Sequence, residues 1–284
     1  MNNHACLIMG LPAAGKTSYL AALAALLREP AVEKKLHWPS FVEDSHHLTS
    51  LAETWWEGKE VKHTPKEMEM RELPLHLEDA DGSSYRVCVP DLSGESFQGL
   101  FTGRVADAEM AESFKNCNGV LLFIHPEKIH EPVLISRLPP RLSERPGQSD
   151  GGVSEENPNT HIPTAVYLTE LMQFAVEIRE SRPIALGVVV SAWDVISALD
   201  ENWRPEEFVH KRLPLLWQYL TSNPEIFRVR YYGVSAQGGN LRSENADALL
   251  ERYEEKPIER MWALTSDGKH THDLSLILWE TLKE

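Results

Sequence analysis

Gly10-Leu11-Pro12-Ala13-Ala14-Gly15-Lys16-Thr17 satisfies the phosphate-loop pattern G-x-x-x-x-G-K-[ST] at every defined position. The glycines allow a turn whose backbone N–H groups converge on phosphate oxygens. Lys16 has the length to reach the β- and γ-phosphates, and the Thr17 hydroxyl can ligate Mg2+. The flanks agree. Ala5-Cys6-Leu7-Ile8-Met9 is an apolar run of strand length, and Ser18-Tyr19-Leu20-Ala21-Ala22-Leu23 opens a stretch of strong helix formers. A loop between such a strand and such a helix presents phosphate to free N–H groups and to the positive end of the helix dipole. The expected cradle is therefore the backbone from Gly10 through Ser18, which restricts the chain to nucleoside triphosphate chemistry or something derived from it.

Composition narrows the class further. At 284 residues and 42% hydrophobic content the chain can bury a sizeable core. No run of about 18 apolar residues occurs, and the apolar start leads straight into the phosphate loop with no signal-peptide pattern, so the expectation is a soluble, cytoplasmic protein with no membrane partner. A net charge of −15 argues against general nucleic-acid binding. Cys6, Cys88 and Cys117 lie in or beside apolar runs, as buried reduced thiols do. The pairs His46-His47 and His270-x-His272 lack the two-plus-two spacing of a zinc site.

Beyond the first helix, Pro30 and Glu33-Lys34-Lys35 close the opening unit, and residues 36–70 are polar and mixed, with Trp55-Trp56 as an amphipathic anchor. Leu73 to Glu78 alternates apolar and polar residues, Asp79-Ala80-Asp81-Gly82-Ser83-Ser84 supplies turn chemistry, and Tyr85 to Val89 resumes the alternation: a hairpin. The runs 119–124 and 184–190 are continuously apolar, as central parallel strands covered on both faces are. A helix is expected over 167–180, a last strand over 229–234, and a closing helix after Asp273, its N-cap. Residues 126–164 are rich in Pro, Gly, Ser and Asn and read as an exposed insertion within a single domain spanning 1–284. The fold expected is α/β with three layers: a mostly parallel sheet, one antiparallel edge strand from the hairpin, and helices on both faces.

A phosphate loop does not select a base, and three later segments carry that information. Asp91-Leu92-Ser93-Gly94 follows the hairpin, where a carboxylate can hold Mg2+ through water and the Gly94 N–H can meet a γ-phosphate. Ser191-Ala192-Trp193-Asp194 follows the apolar run 184–190, where the Asp194 carboxylate can accept the ring N–H and the exocyclic amine of guanine. Ser235-Ala236 follows the last strand, and their small size lets backbone amides approach the guanine carbonyl.

In this order, the motifs resemble those of P-loop GTPases of the Ras-like, translation-factor-related class. The phosphate loop matches the first motif, Asp91 to Glu95 the D-x-x-G switch motif, Ser191 to Asp194 the N-K-x-D base motif, and Ser235-Ala236-Gln237 the S-A-K motif, over residues 6–237. In outline the chain is also similar to the double-GTPase proteins of bacterial conflict systems. The resemblance implies the three-layer P-loop fold, GTP and GDP as ligands with Mg2+, a switch role and a protein effector or activating partner. It assigns Lys16, Gly94 and Glu95 to catalysis and Thr17, Asp91 and a switch threonine to the metal. Thr64, in a polar loop shortly before the hairpin, is the expected threonine, ahead of Thr54 and Thr49.

The sequence also departs from the pattern. Ser191 and Ala192 stand where the family has Asn and Lys, and Trp193 either covers a purine face by stacking or packs the domain surface. Glu95 stands where Gln often orients the attacking water, and a carboxylate beside a γ-phosphate adds like-charge repulsion, so slow hydrolysis is expected. Two other readings remain open at this level: a pseudo-GTPase that holds nucleotide as a structural element, and an ATP-using P-loop enzyme.

Overall fold

The computed structural model describes residues 3–39, 46–59, 75–88, 108–132, 162–179, 183–199 and 202–283. The apolar runs read from the sequence form its central strands. β1 (Asn3–Gly10) ends in the phosphate loop, β5 (Gly119–Ile124) and β6 (Ile184–Ser191) are buried along their whole length, and β7 (Phe227–Ser235) closes the parallel set. The hairpin is β3 (Leu75–Asp79) and β4 (Ser84–Cys88), paired antiparallel with Leu77 opposite Tyr85.

The sheet has nine strands in the order β2-β3-β4-β1-β5-β6-β7-β8-β9, where β2 is Leu36–His37, β8 is Trp262–Leu264 and β9 is His270–Thr271. β4, β1, β5, β6 and β7 run parallel. β3 is antiparallel as expected, but it is not the edge: β2 pairs antiparallel outside it, and β8 and β9 add two antiparallel-paired strands at the opposite edge, none of which the sequence alone indicates. Because β1 sits between β4 and β5, the strand order reverses at β1. The crevice outside its carboxyl end is the topological switch point at which open α/β sheets bind ligands.

Side-chain alternation divides the core into two layers. Cys6, Ile8, Leu121, Phe123, Val189 and Tyr232 face one cluster, whereas Leu7, Met9, Leu122, Val188, Val190 and Tyr231 face the other. The first is covered by α1 (Lys16–Arg28), α2 (His46–Trp56) and the closing helix Ser275–Leu282. The second is covered by α3 (Ala108–Asn116), α4 (Thr164–Ile178) and the two short helices Pro205–Arg212 and Pro214–Thr221. In α1 every residue from Tyr19 to Leu27 is buried, the pattern of a helix enclosed on all sides, and its alanines let α2 pack closely outside it. Cys6 and Cys117 are buried thiols outside any disulfide.

Polar side chains fix the ends of these elements. Lys34 caps α1 by donating to the carbonyls of Leu26 at 3.0 Å and of Glu29. The Asp273 carboxylate accepts from Ser275 N at 2.9 Å and from Lys35 N at 2.8 Å, so it caps the closing helix from just outside the helix and also ties it to the segment entering β2. At the base of the expected insertion, His130 N donates to Thr164 Oγ1 at 2.9 Å and Thr164 N to His130 O at 3.0 Å. The chain leaves and rejoins the fold at one point, between neighbouring strands β5 and β6. The insertion itself, from residue 133 to 161, lies outside the described residues.

Asp79 organises the hairpin. Its Oδ1 accepts from Asp81 N at 3.0 Å and Ser83 N at 2.9 Å, and its Oδ2 accepts from Tyr85 Oη at 2.9 Å. Burial pushes its carboxyl up, but hydrogen bonds from Ser83, Tyr85 and Asp81 outweigh that and hold it below the ordinary carboxylate range. The stabilisation is therefore present above the unfolded-state pKa and is lost as pH falls through the lower folded-state value. Asp79→Ala should reduce unfolding stability by about 1–3 kcal/mol at pH 7. Urea titrations from pH 7 to pH 2 should show the variant losing less stability with acid than wild type does.

Candidate functional site at the carboxyl ends of the parallel strands

The phosphate loop is clasped by the ends of its two neighbours to one side. A Cβ at Gly10 would lie 2.5 Å from the carbonyl oxygen of Phe123 at the end of β5, and one at Gly15 would lie 2.7 Å from the Ser191 Cβ at the end of β6. Gly15 also holds φ +91°, so both space and backbone conformation exclude a side chain there. Within the loop Ala14 N donates to Leu11 O at 3.1 Å, and Lys16 Nζ donates to Gly10 O at 2.7 Å and Leu11 O at 3.2 Å, which lays the ammonium across the loop's opening turn. Gly15 precedes α1 and contributes no capping side chain, so the first-turn N–H groups of Lys16, Thr17 and Ser18, which a helix cannot satisfy internally, are suited to an anion.

Backbone strain falls in the same place. Among the described residues, the non-glycine residues with positive φ are Ala13 at 59° in the loop and Ala192 at 46° in the segment after β6. Left-handed alanine costs about 1–3 kcal/mol and persists where the surroundings over-determine it, a condition met most often at functional sites.

The segments after β6 and β7 are brought together. Ser235 Oγ, wholly buried, donates to Asp194 Oδ1 at 2.6 Å and accepts from Gly238 N at 3.1 Å, so one hydroxyl orients the carboxylate and shapes the turn after β7. Ser191 Oγ donates to Ile124 O at 3.3 Å, and its side chain packs directly on Gly15. Trp193 is only 2% exposed. It lies where a Gly233 side chain would go and packs edge-on against Phe208, their ring centroids 5.9 Å apart, so the ring belongs to the core and neither covers a base nor lies on the domain surface.

Other expected site residues fall differently. Thr64, Asp91, Gly94 and Glu95 lie outside the described residues. Thr54 donates to Ser50 O at 2.8 Å, and Thr49 accepts from Arg28; both sit on α2. Among the described residues no group of three or more His, Cys, Asp or Glu could hold a metal ion, and Thr17 is the member of the expected magnesium set that is described. No helix among them is long and apolar enough to cross a membrane.

Sequence reasoning missed three residues here. His125 follows β5, and its imidazole is lowered by burial while the Glu127 and Asp194 carboxylates pull the other way. Trp55 donates from its indole nitrogen to Ala236 O at 2.7 Å, and Arg260 lies with its guanidinium 4.2 Å from the Trp55 ring centroid. His125 had a signal, being the first polar residue after a central strand on the side where ligands bind.

A glycine loop opening a helix at the switch point of a parallel sheet, with a serine-held carboxylate two strands away, defines a P-loop nucleotide-binding protein. The family model of Double-GTPase 1 matches residues 7–280, and the chain belongs to that family of GTP-binding P-loop proteins. No curated protein matches the sequence. Among solved structures, a bacterial selenocysteine-specific elongation factor is similar with a TM-score of 0.37 and 10% identity, covering 91% of this chain and 29% of its own. This chain thus spans under a third of that structure's length.

The clasp around the loop yields a direct test. Gly15→Ala must strain φ or displace Ser191, and should lower guanine-nucleotide affinity at least about tenfold, the effect of about 1.4 kcal/mol. Fluorescent-nucleotide titration, with circular dichroism to check folding, measures it.

Proposed function

We propose that this protein is a Mg2+-dependent GTP-binding switch that hydrolyses GTP slowly to GDP. The observation that supports the reading is the 2.6 Å bond from Ser235 to Asp194, which orients a carboxylate after β6, two strands from the phosphate loop at the same carboxyl end of the sheet. In this reading the N–H groups of residues 10–18, side chains from Leu11 to Ala14 aside, cradle the α- and β-phosphates. Lys16 neutralises charge on the β- and γ-phosphates. The Asp194 carboxylate accepts the guanine ring N–H and amine, and the turn at Ser235 and Ala236 offers N–H groups to the guanine carbonyl. Thr17, Thr64 and Asp91 would hold Mg2+, which would supply positive charge against that of the phosphates. We further propose a single GTPase-like domain over 1–284, carrying the 126–164 insertion, in a cytoplasmic protein with a protein effector or activating partner, possessing a role in bacterial conflict or signalling.

Hydrolysis requires water to attack the γ-phosphorus in line with the bond to the β–γ bridging oxygen, which leaves with GDP. The water's proton ends on inorganic phosphate. Gly94 N–H and Lys16 stabilise the charge on the transferred group, and Glu95 orients the water. A carboxylate at that position repels the γ-phosphate, so turnover of the isolated protein should be about 10⁻⁴ to 10⁻² s⁻¹, the range of unassisted switch GTPases.

Two measurements address base choice and chemistry. Asp194→Asn should shift preference from guanine toward xanthine nucleotides, because the amide presents a donor where the carboxylate accepted. Competition titrations with GDP and XDP read this, and an unchanged preference would overturn the assignment of Asp194. In single-turnover assays Glu95→Gln should hydrolyse GTP faster than wild type. Near-complete loss would make Glu95 essential to the chemistry, and bound but unhydrolysed GTP in both proteins would favour the pseudo-GTPase.

A further inference from the structure

Two contacts from elsewhere in the fold reach the turn after β7. The indole N–H of Trp55, in the last turn of α2, donates to the carbonyl of Ala236 at 2.7 Å. The backbone carbonyl oxygen of Arg260 lies 2.5 Å from where a Cβ at Gly238 would be, and Gly238 holds φ +75° to pass it. Arg260 then returns to Trp55: its guanidinium stacks 4.2 Å from the indole centroid, and its Nη2 donates to Trp55 O at 2.6 Å. Trp55, Ala236, Gly238 and Arg260 thus form a closed ring of contacts around the turn.

The ring is buried and costly. Trp55 is fully buried and Arg260 is 2% exposed, and among the described residues no carboxylate pairs with the guanidinium. Burial pushes its pKa down to about 10, which still leaves it cationic at neutral pH. A buried cation held by a ring face and one carbonyl stabilises less than a packed apolar side chain commonly does, so its value is better sought in geometry.

That geometry bears on the turn's amides. A trans peptide is planar, so pinning the Ala236 carbonyl toward Trp55 turns the N–H of Gln237 to the opposite side of the same plane. Ser235 Oγ, bonded to Asp194, fixes the Gly238 N–H from the other end of the turn. We propose that Trp55 and Arg260 are positioning residues for guanine recognition: they hold the peptide after Ala236 so that the turn presents its amides to the base carbonyl. The inference rests on the GTP-binding reading above and adds two specificity-determining residues remote from the phosphate loop.

The test compares a guanine with an adenine nucleotide. Calorimetric titration of the full chain with GDP and with ADP, each with Mg2+, is made for wild type, Trp55→Phe and Arg260→Met. Phe keeps the ring beside Arg260 and deletes the donor, while Met keeps bulk and deletes the fork and charge. GDP affinity should fall about 5- to 20-fold in both variants, the scale of one misplaced contact, with ADP affinity, which rests on the phosphate loop, changed less than about twofold. A role in stability alone would lower both affinities together, and that result overturns the inference. So does unchanged GDP binding in folded Trp55→Phe, which carries the test if Arg260→Met does not fold. Wild type binding GDP and ADP alike would instead remove the guanine reading itself.

Discussion

The site depends on the absence of two side chains. Gly10 and Gly15 let the phosphate loop sit against the Phe123 carbonyl and the Ser191 side chain, with 2.5 Å and 2.7 Å where any Cβ would stand. Such closeness brings the ends of β1, β5 and β6 into one rigid edge, so the loop, His125 and the Ser191–Asp194 segment keep fixed relative positions. Ser191 bears on this directly. A longer side chain is not needed to join the segment after β6 to the loop, because the serine Cβ already packs on the loop where Gly15 admits it.

Behind that edge, two buried polar links set the direction of the groups that remain. Ser235 orients Asp194 from one side and shapes the turn at Gly238 on the other. The Trp55–Arg260 stack extends the same network to α2, on the face of the sheet covered by α1. Each link spans elements far apart in sequence, and Ser235, Trp55 and Arg260 are buried, so loss of a partner there leaves a desolvated polar group unsatisfied. The network therefore stiffens the segments after β6 and β7 while the glycine clasp stiffens the loop after β1.

Much of this was legible in the residues. The strand, loop and helix from Asn3 to Arg28 could be read because apolar run, glycines and helix formers agree locally, and β5 and β6 because their continuous apolar runs are rich in Val and Ile, as strands covered on both faces are. The Asp79 turn showed itself by its chemistry. Helix α2 went unread although Leu48, Leu51, Ala52 and Trp55 carry helical spacing, because the polar residues around them masked a narrow apolar stripe. The helices beginning at Pro205 and Pro214 had prolines at their first positions, a start signal left unused. Arg260 and the core position of Trp193 were not legible, since only tertiary contacts bury an arginine or choose between a ring that stacks on ligand and one that fills a glycine's space.

We propose that a serine-held carboxylate and a glycine loop together make a guanine-nucleotide site. Extraction of the nucleotide retained by the purified protein, followed by chromatographic identification and calorimetric titration with GTP, GDP and ATP, tests this. The account predicts a retained guanine nucleotide, or in nucleotide-free protein an affinity for GTP and GDP at least about a hundredfold above that for ATP, as expected of a site with buried groups matched to one base. A retained adenine nucleotide, or equal affinity for ATP and GTP, would contradict it.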